Sequence, residues 1–526
     1  MAQPEPEELL RRFRQAKARR GQWESLWQEC GDYALPNSGS VNRGVIPGQQ
    51  RSDRIFDGTA PDAVEQLAAS LLSELTPPWS RWFGLAAGPA VSEAERAQLE
   101  PRLETAETVV QSHFDQSNFA VEMHQCFLEL VTYGTACLLF EEAPLGQPSA
   151  FRFTAVPLSE AVLEEGPDGR LDVTFRRSEM TAAQLRHRFP AAPLPAAAQR
   201  AAEPGQARFG VLEAVQPDGA AYDYIALLDS AGETSSETPV LARGRFARSP
   251  FINFRWLKAP AEIYGRSPVM KALPDIKTAN KVVELTLKNA SIAVTGIWQA
   301  DDDGVLNPAA VKLTPGTIIP KAVGSSGLTP LKPAGEFALS EHLLQDLRSR
   351  LRHALLVDRL GQIESPRMTA TEVLERSAQM ARLLGASYGR LQSELLTPLA
   401  QRALAILRRR GEIGGIVADG RLVTLQHRSP LAQLQSQKDA QNILLWLQQL
   451  GAFGPQALAM VDLAKAARWT GETLGVPGEL MLSPEEAQVQ AQVHSQAQSQ
   501  PEGLDDLLAL AGQAGLDLTG EGVPDA

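Results

Sequence analysis

The chain has 526 residues, 62 of them Asp or Glu and 50 Lys or Arg, for a formal charge of −12. At roughly 100–200 residues per domain this length suggests three or four packing units, and 44% hydrophobic with 21% charged residues excludes an intrinsically disordered chain. The acidic excess is uneven: after Arg468 come ten Asp or Glu and no Lys or Arg, so a generally basic nucleic-acid binder is excluded.

From the N-terminus, Glu7 to Tyr33 carries Leu10, Phe13, Trp23, Leu26 and Trp27 at helical intervals. The opening MAQPEPEELLRRFRQ places acids first and has no apolar core, so it does not read as a signal peptide. A second helix follows, with Asp57 or Thr59 as N-cap, Pro61 in the first turn, and the ladder Val64, Leu67, Leu71, Leu72, Leu75. Pro77-Pro78 ends it, and Trp79, Trp82 and Phe83 read as a core plug. Another helix is expected over Glu93 to His113, and Ala120 to Phe140 reads as helical and then buried. Its uncharged run Leu130 to Phe140 is far short of the ~20 residues that cross a bilayer. A soluble intracellular product is therefore expected, in a reducing compartment that keeps Cys30, Cys126 and Cys137 free. The three cysteines fall on expected helices and read as small buried hydrophobes.

Between Phe151 and Trp256 the period shifts toward two, with FRFTAVPL, RLDVTFRR, FGVLEAVQ, YDYIALLD and FINFRW separated by Gly/Pro turn signals. A short helical insert is expected over Thr181 to Phe189, within a mostly antiparallel β region.

Two long rods follow. From Ser267, with Pro268 in the first turn, Val269, Leu273, Ile276, Asn280, Val283, Leu287, Ala290 and Val294 form one stripe. Lys277, Lys281, Glu284 and Lys288 form the opposite one, along a rod of roughly 38 Å. Glu284 stands at i+4 from Lys288 and i−3 from Lys281, spacings that favour ion pairs. After a Gly/Pro-punctuated, strand-like segment, Ile297 to Pro333, the second rod runs from Phe337 to Asp358 with Leu339, Leu343, Leu347, Leu351 and Leu355 at steps of four.

RLGQIESPRM is a loop, and Thr369 with Glu372 forms a capping box that restarts a helix to about Leu396. Thr397-Pro398 caps or kinks it, and Gly411 ends its continuation. A hairpin-like stretch leads to mostly helical sequence up to about Gly475, and Ser483 opens a Gln/Ala-rich, acidic tail.

Catalytic signatures are missing. GEIGGIVADG lacks the ending of a phosphate loop, which argues against a nucleic-acid ATPase; there is no HExxH or GxSxG, and Asp301-Asp302-Asp303-Gly304 lacks the later ligands of a calcium loop. Neither a metal nor a cofactor is expected.

RIFDGTAPDAVEQLAASLLSELTPPWSRWFGL, IYGRSPVMKALPDIKTANKVVELTLKNA, PRMTATEVLER with LQSELLTPLAQRALAILRRRG, and SPLAQLQSQKDAQNI follow one another in an order that resembles the portal (head-to-tail connecting) proteins of short-tailed bacteriophages. The likeness spans about residues 10 to 485. It implies an α+β, predominantly helical portal fold, in a ring usually of twelve subunits at one capsid vertex of the virion, made in the host cytoplasm. Double-stranded DNA would pass through the ring during packaging and ejection. The terminase large subunit, a head-tail adaptor, and the major capsid and scaffolding proteins would be partners; no membrane and no catalysis would be involved. The alternative is a ring-forming tail adaptor or scaffold that threads no DNA.

By the same resemblance, residues 1–266 would be an N-terminal wing (helical over 1–140, β-rich over 150–257), 267–295 and 337–358 the two stem helices, and 296–336 the clip. Residues 359–368 would be the channel loop, 369–428 the C-terminal wing helices, 429–482 the crown, and 483–526 a tail or barrel helix. The stem stripe Lys277, Lys281, Glu284 and Lys288 and the channel-loop residues Gly361, Gln362, Ile363, Glu364, Ser365, Pro366 and Arg367 would face DNA. Ile297, Trp298, Asp301, Asp302, Asp303, Ile318 and Ile319 would bind partners at the clip.

Overall fold

The computed structural model describes residues 5–36, 41, 52–78, 81–192, 208–229, 239–295, 298–299, 323–324, 326, 329–330, 337–360, 385, 387–418, 420–427, 430–453, 461 and 463–474. They divide into two units, Met1–Ser92 with Arg102–Ala432, and Glu93–Pro101 with Gln433–Ala526.

In the first unit, helix α1 (Pro6–Ala34) has Pro6 in its opening turn and Glu7 and Glu8 beside it, which suits the positive end of the helix dipole. Helix α2 (Thr59–Leu75) buries the expected ladder Val64, Leu67, Leu71 and Leu75. Its N-cap position is Gly58, not Asp57 or Thr59, but the Asp57 carboxylate still accepts from the Thr59 N–H at 3.0 Å. Helix α3 (Glu93–Asp115) begins in the second unit and ends in the first.

The expectation of helix throughout 1–140 is corrected at two places. Phe83–Ala87 is strand β1, which carries the buried Phe83 next to Trp82; Trp79 lies outside the described residues. Helix α4 (Phe119–Tyr133) stops at Gly134, and Thr135–Glu142 is strand β2. Gly134 holds φ +79°, and a Cβ there would stand 2.3 Å from the Gly265 carbonyl oxygen, so only glycine fits the turn. Strand β2 is buried on both faces from Thr135 to Phe140. It therefore lacks the alternation that marks a half-buried strand. Cys137 accordingly lies on a strand, not a helix. All three cysteines are free and buried; burial pushes the Cys30 thiol up to about 12 and raises those of Cys126 and Cys137 too.

The β region is antiparallel, as its alternation predicts. Strands β3 (Phe151–Val156) and β9 (Phe251–Arg255) flank β2 in a three-stranded sheet. Strands β4 (Ala161–Glu164), β5 (Val173–Thr181), β6 (Arg208–Asp218), β7 (Ala221–Asp229) and β8 (Val240–Phe246) form a five-stranded sheet in chain order. Both of its faces are covered. On one, Leu9, Phe13 and Ala16 of α1 meet Phe175, Leu212, Ile225 and Leu227. On the other, Leu185 and Phe189 meet Val211, Ala226, Leu228 and Leu241. Leu185 belongs to the expected helical insert, α5 (Ala182–Arg188), which opens on a Thr181–Gln184 capping box.

Buried arginines join distant segments. Arg255, fully buried, binds Glu394 at 2.7 Å, Glu165 at 3.3 Å and the carbonyls of Ile263 and Gly169. Arg402 donates to the carbonyls of Phe140 and Arg248, both at 2.6 Å. Glu394 sits in a π-helical turn, Gln392–Leu396, immediately before helix α9 (Thr397–Arg410). The widened turn accommodates Pro398, which lacks the N–H an α-helix would need there. Gly411 ends α9 at φ +77°, as expected. The hairpin expected beyond it is corrected: Val423–His427, β12, pairs with β1, from Phe83↔His427 to Ala87↔Val423.

The second unit holds most of helix α10 (Pro430–Ala452) and helix α11 (Leu463–Leu474), in line with the helical reading of this stretch. The capping box at Thr369 and the tail after Ser483 lie outside the described residues. No helix among the described residues is long and apolar enough to cross a membrane.

Candidate functional site

The first rod is helix α6 (Pro268–Thr295). Its start is fixed by Ser267, whose hydroxyl accepts from the Met270 N–H and donates to the Thr132 carbonyl, each at 2.9 Å. The second rod is helix α7 (Phe337–Ala354), four residues shorter than the periodicity suggests. Leu356 takes φ +61° and its N–H bonds the His353 carbonyl, which closes α7 before a single turn, α8 (Val357–Leu360).

The two rods pack together, and Asp275 of α6 pairs with Arg350 of α7 at 3.1 Å. Val269, Leu273, Ile276 and Ala279 on α6 and Leu347 and Leu351 on α7 are buried, as is Leu355 just beyond. Both apolar stripes then continue into solvent: Leu287 is 54% exposed and Leu343 46%, and Leu285, off the α6 stripe, is 53% exposed. Leu287 and Leu343, members of the two expected apolar stripes, thus stand about half-exposed.

The charged stripe of α6 is paired almost throughout. Glu284 takes Lys281 at 3.0 Å and Lys288 at 2.5 Å, the i−3 and i+4 contacts its spacing favours. Hydrogen bonds from Lys288 and Lys281 hold the Glu284 carboxyl below the usual carboxylate range. Lys277 binds Glu29 of α1 at 2.6 Å and lies over the Tyr33 ring. One net positive charge remains from three lysines and two glutamates.

A polar junction fixes the rods to the chain before α2. The Asn280 side chain accepts from the Phe56 and Asp57 N–H groups at 2.7 and 3.2 Å and donates to the Arg54 carbonyl at 2.9 Å. Asp57, itself buried, accepts from Arg348 of α7 at 2.9 Å. Burial alone would raise the Asp57 carboxyl, but hydrogen bonds from Thr59 and Arg348 outweigh it and hold it below the usual range.

Sequence reasoning missed Glu29, Asp57 and Arg348 as parts of this constellation, because their partners are far away in the chain. Asn280 carried a signal: a lone amide in an apolar stripe needs buried hydrogen-bond partners. The channel-loop residues Gly361 to Arg367 lie outside the described residues, as do Ile297, Asp301, Asp302, Asp303, Ile318, Ile319 and the Trp298 side chain. Of that connecting segment the structure gives a two-residue pairing, β10 (Trp298–Gln299) with β11 (Thr329–Pro330), antiparallel.

Comparison with known proteins gives the same family over nearly the whole chain. A "Probable portal protein" of Bordetella phage BPP-1 is 24% identical over 521 residues, covering 91% of this chain and 89% of that protein. A "Portal protein" of Salmonella phage epsilon15 is 25% identical over 519 residues, covering 93% and 91%. A chain from the virion of a native gene transfer agent (GTA) particle aligns at 13% identity with a TM-score of 0.37, covering 83% of this chain and 96% of that one. The family described as "Bacteriophage head to tail connecting protein" matches residues 6–482, and the chain belongs to that family.

Proposed function

We propose that copies of this chain form a portal ring, usually twelve subunits in such proteins, at one capsid vertex, and that duplex DNA passes along its axis during packaging and ejection. Its role is structural rather than catalytic. The α6–α7 pairs stand around the bore, with Lys277, Lys281, Glu284 and Lys288 toward the DNA. The half-exposed Leu285, Leu287 and Leu343 support this reading, since neighbouring rods in a ring would cover them.

The sharing of Glu284 between two lysines carries the argument for passage rather than capture. Over the ~42 Å of a 28-residue helix, duplex DNA presents about 25 phosphates. Twelve copies of three unpaired lysines would set about 36 cations against them, and each neutralised phosphate adds about 0.9 to the salt slope of binding. With Glu29 and Glu284 in place the same ring offers about 12 net charges, a grip that DNA can slip.

On this reading Gly361 to Arg367 form the loop that narrows the channel. The segment from Ile297 through Asp301, Asp302 and Asp303 to Ile318 and Ile319 meets the terminase large subunit and then the head-tail adaptor, while the outer parts of the ring meet capsid and scaffolding proteins. Electron microscopy of the purified chain tests the proposal. Rings with an open centre, incorporated into particles that package DNA, support it. Monomers or closed discs overturn it, and rings that assemble at the neck without threading DNA make the chain an adaptor instead.

A further inference from the structure

Near the end of α3 the His113 imidazole is held at both of its nitrogens. Nδ1 accepts from the Ala150 N–H at 3.1 Å, and Nε2 stands 2.6 Å from Glu412 Oε2. A backbone N–H can only donate, so Nδ1 offers a lone pair and the ring proton sits on Nε2, donated to the carboxylate. Turning the ring over would put carbon at both positions and forfeit both bonds. The contacts therefore define one state, a neutral imidazole protonated at Nε2.

That state closes a circuit of hydrogen bonds. Arg410 Nε pairs with the other Glu412 oxygen at 2.8 Å, and Arg410 Nη1 donates to the Ala143 carbonyl at 3.3 Å. The Ala143 N–H donates to the Ala150 carbonyl at 2.8 Å, and the Ser149 hydroxyl donates to the His113 carbonyl at 2.6 Å. The turn from β2 to β3 is thus gripped at both ends, while Leu145 between them is 86% exposed. All of these residues belong to the first unit.

Imidazole is the side chain that gains a proton as pH falls from 8 to 5. A proton on Nδ1 would face the Ala150 N–H, donor against donor, and that bond must break. Glu412 pulls the other way, since it would pair with an imidazolium. Its side chain is 32% exposed and already shared with Arg410, which weakens that pull. The other neighbours add little charge. Residues 143–150 carry none, and β3 presents the Phe151 ring at 5.3 Å. Glu142 is paired with Arg409, and Asp115 accepts from Gln111 at 2.8 Å.

We infer that His113 is a pH-operated latch on the β2–β3 turn, closed while the ring is neutral and released at Ala150 when the ring takes a second proton. The latch is built into the single chain and does not rest on the proposed ring.

Hydrogen exchange of the full chain, read amide by amide and expressed as protection relative to an unfolded chain at each pH, tests it. A control lies on the same strand: the Phe153 N–H is held at 3.0 Å by Asn118 Oδ1, which does not titrate. From pH 8 to pH 5, protection at Ala150 should fall about tenfold while that at Phe153 holds. Unchanged protection at Ala150, or an equal fall at Phe153, overturns the inference, and this wild-type comparison decides the matter even where a variant does not fold. His113→Asn gives a second reading, because its side-chain oxygen can accept from Ala150 and carries no titrating proton. Protection at Ala150 in this variant should lose its dependence on pH. A fall that persists there belongs to another group, and the latch is then not His113.

Discussion

Asp57 and Arg348, 291 positions apart in the chain, meet at 2.9 Å where the loop before α2 touches the second long helix. The carboxylate also accepts from the Thr59 N–H, so one buried group secures both the first turn of α2 and the flank of α7. Its folded-state pKa lies below the ordinary value of about 3.9. Such a group contributes stability that is complete above the unfolded pKa and lost as pH falls through the folded one. Asp57→Asn should therefore flatten the acid limb of stability against pH below about pH 4. It should leave the neutral-to-alkaline limb parallel to wild type. Urea unfolding of both proteins across this range checks it; an unchanged acid limb would remove Asp57 from the set of groups that make the fold acid-labile.

Asn280 is the matching test on α6. Truncation to Ala leaves the Phe56 and Asp57 N–H groups and the Arg54 carbonyl to find new partners. A loss of about 1–3 kcal/mol in unfolding free energy is expected. Hydrogen exchange should quicken at the amides of Phe56 and Asp57 in particular, because these lose their acceptor. Uniform change across the chain, without this local signature, would mean the junction is not held by Asn280.

Gly134 turns the chain from α4 into β2, and an alanine there meets two penalties at once. It must hold φ +79°, and its Cβ would overlap the Gly265 carbonyl. The backbone conformation alone costs on the order of 1–2 kcal/mol, and the overlap forces β2 and the 265–267 segment apart. Gly134→Ala is expected to lower the urea midpoint markedly or to prevent soluble expression, while Gly146→Ala, at φ +91° with open space around it, should show the conformational cost alone. Equal effects from both would show that the close approach to Gly265 does not matter.

What could be read from the sequence follows the range of the interactions. The rod α6 was legible because its start rests on neighbours, Ser267 and Pro268, and its apolar stripe has a spacing near 3.5. The same holds for α5, where Thr181 and Gln184 stand three positions apart. Strand β2 was not legible as a strand, since burial on both faces erases the period-two signal; Gly134 was the local clue. The β1–β12 pairing joins Phe83 to His427 and leaves no local trace. Within the charged stripe, the Glu284 pairs lie one helical turn apart and were expected. The Lys277 partner, Glu29, comes from another helix.

Glu284 offers the most direct experiment on how the proposed conduit treats its cargo. Both of its lysine pairs are exposed, so their loss should hardly alter folding, and the unfolding midpoint of Glu284→Gln should match wild type. The charge consequence is larger. Each subunit's stripe goes from one net positive charge to two, which in a ring of twelve adds about 12 cations facing the bore. Binding of assembled rings to duplex DNA should tighten at low salt, with a slope of log affinity against log salt steeper by about 0.9 for each additional phosphate contacted. Packaging or ejection through variant rings should slow at low ionic strength and recover as salt is raised. Adding Lys281→Gln to the Glu284→Gln protein returns the stripe to one net charge and should restore both behaviours. DNA affinity and salt slope that ignore these exchanges would place the stripe away from the DNA path.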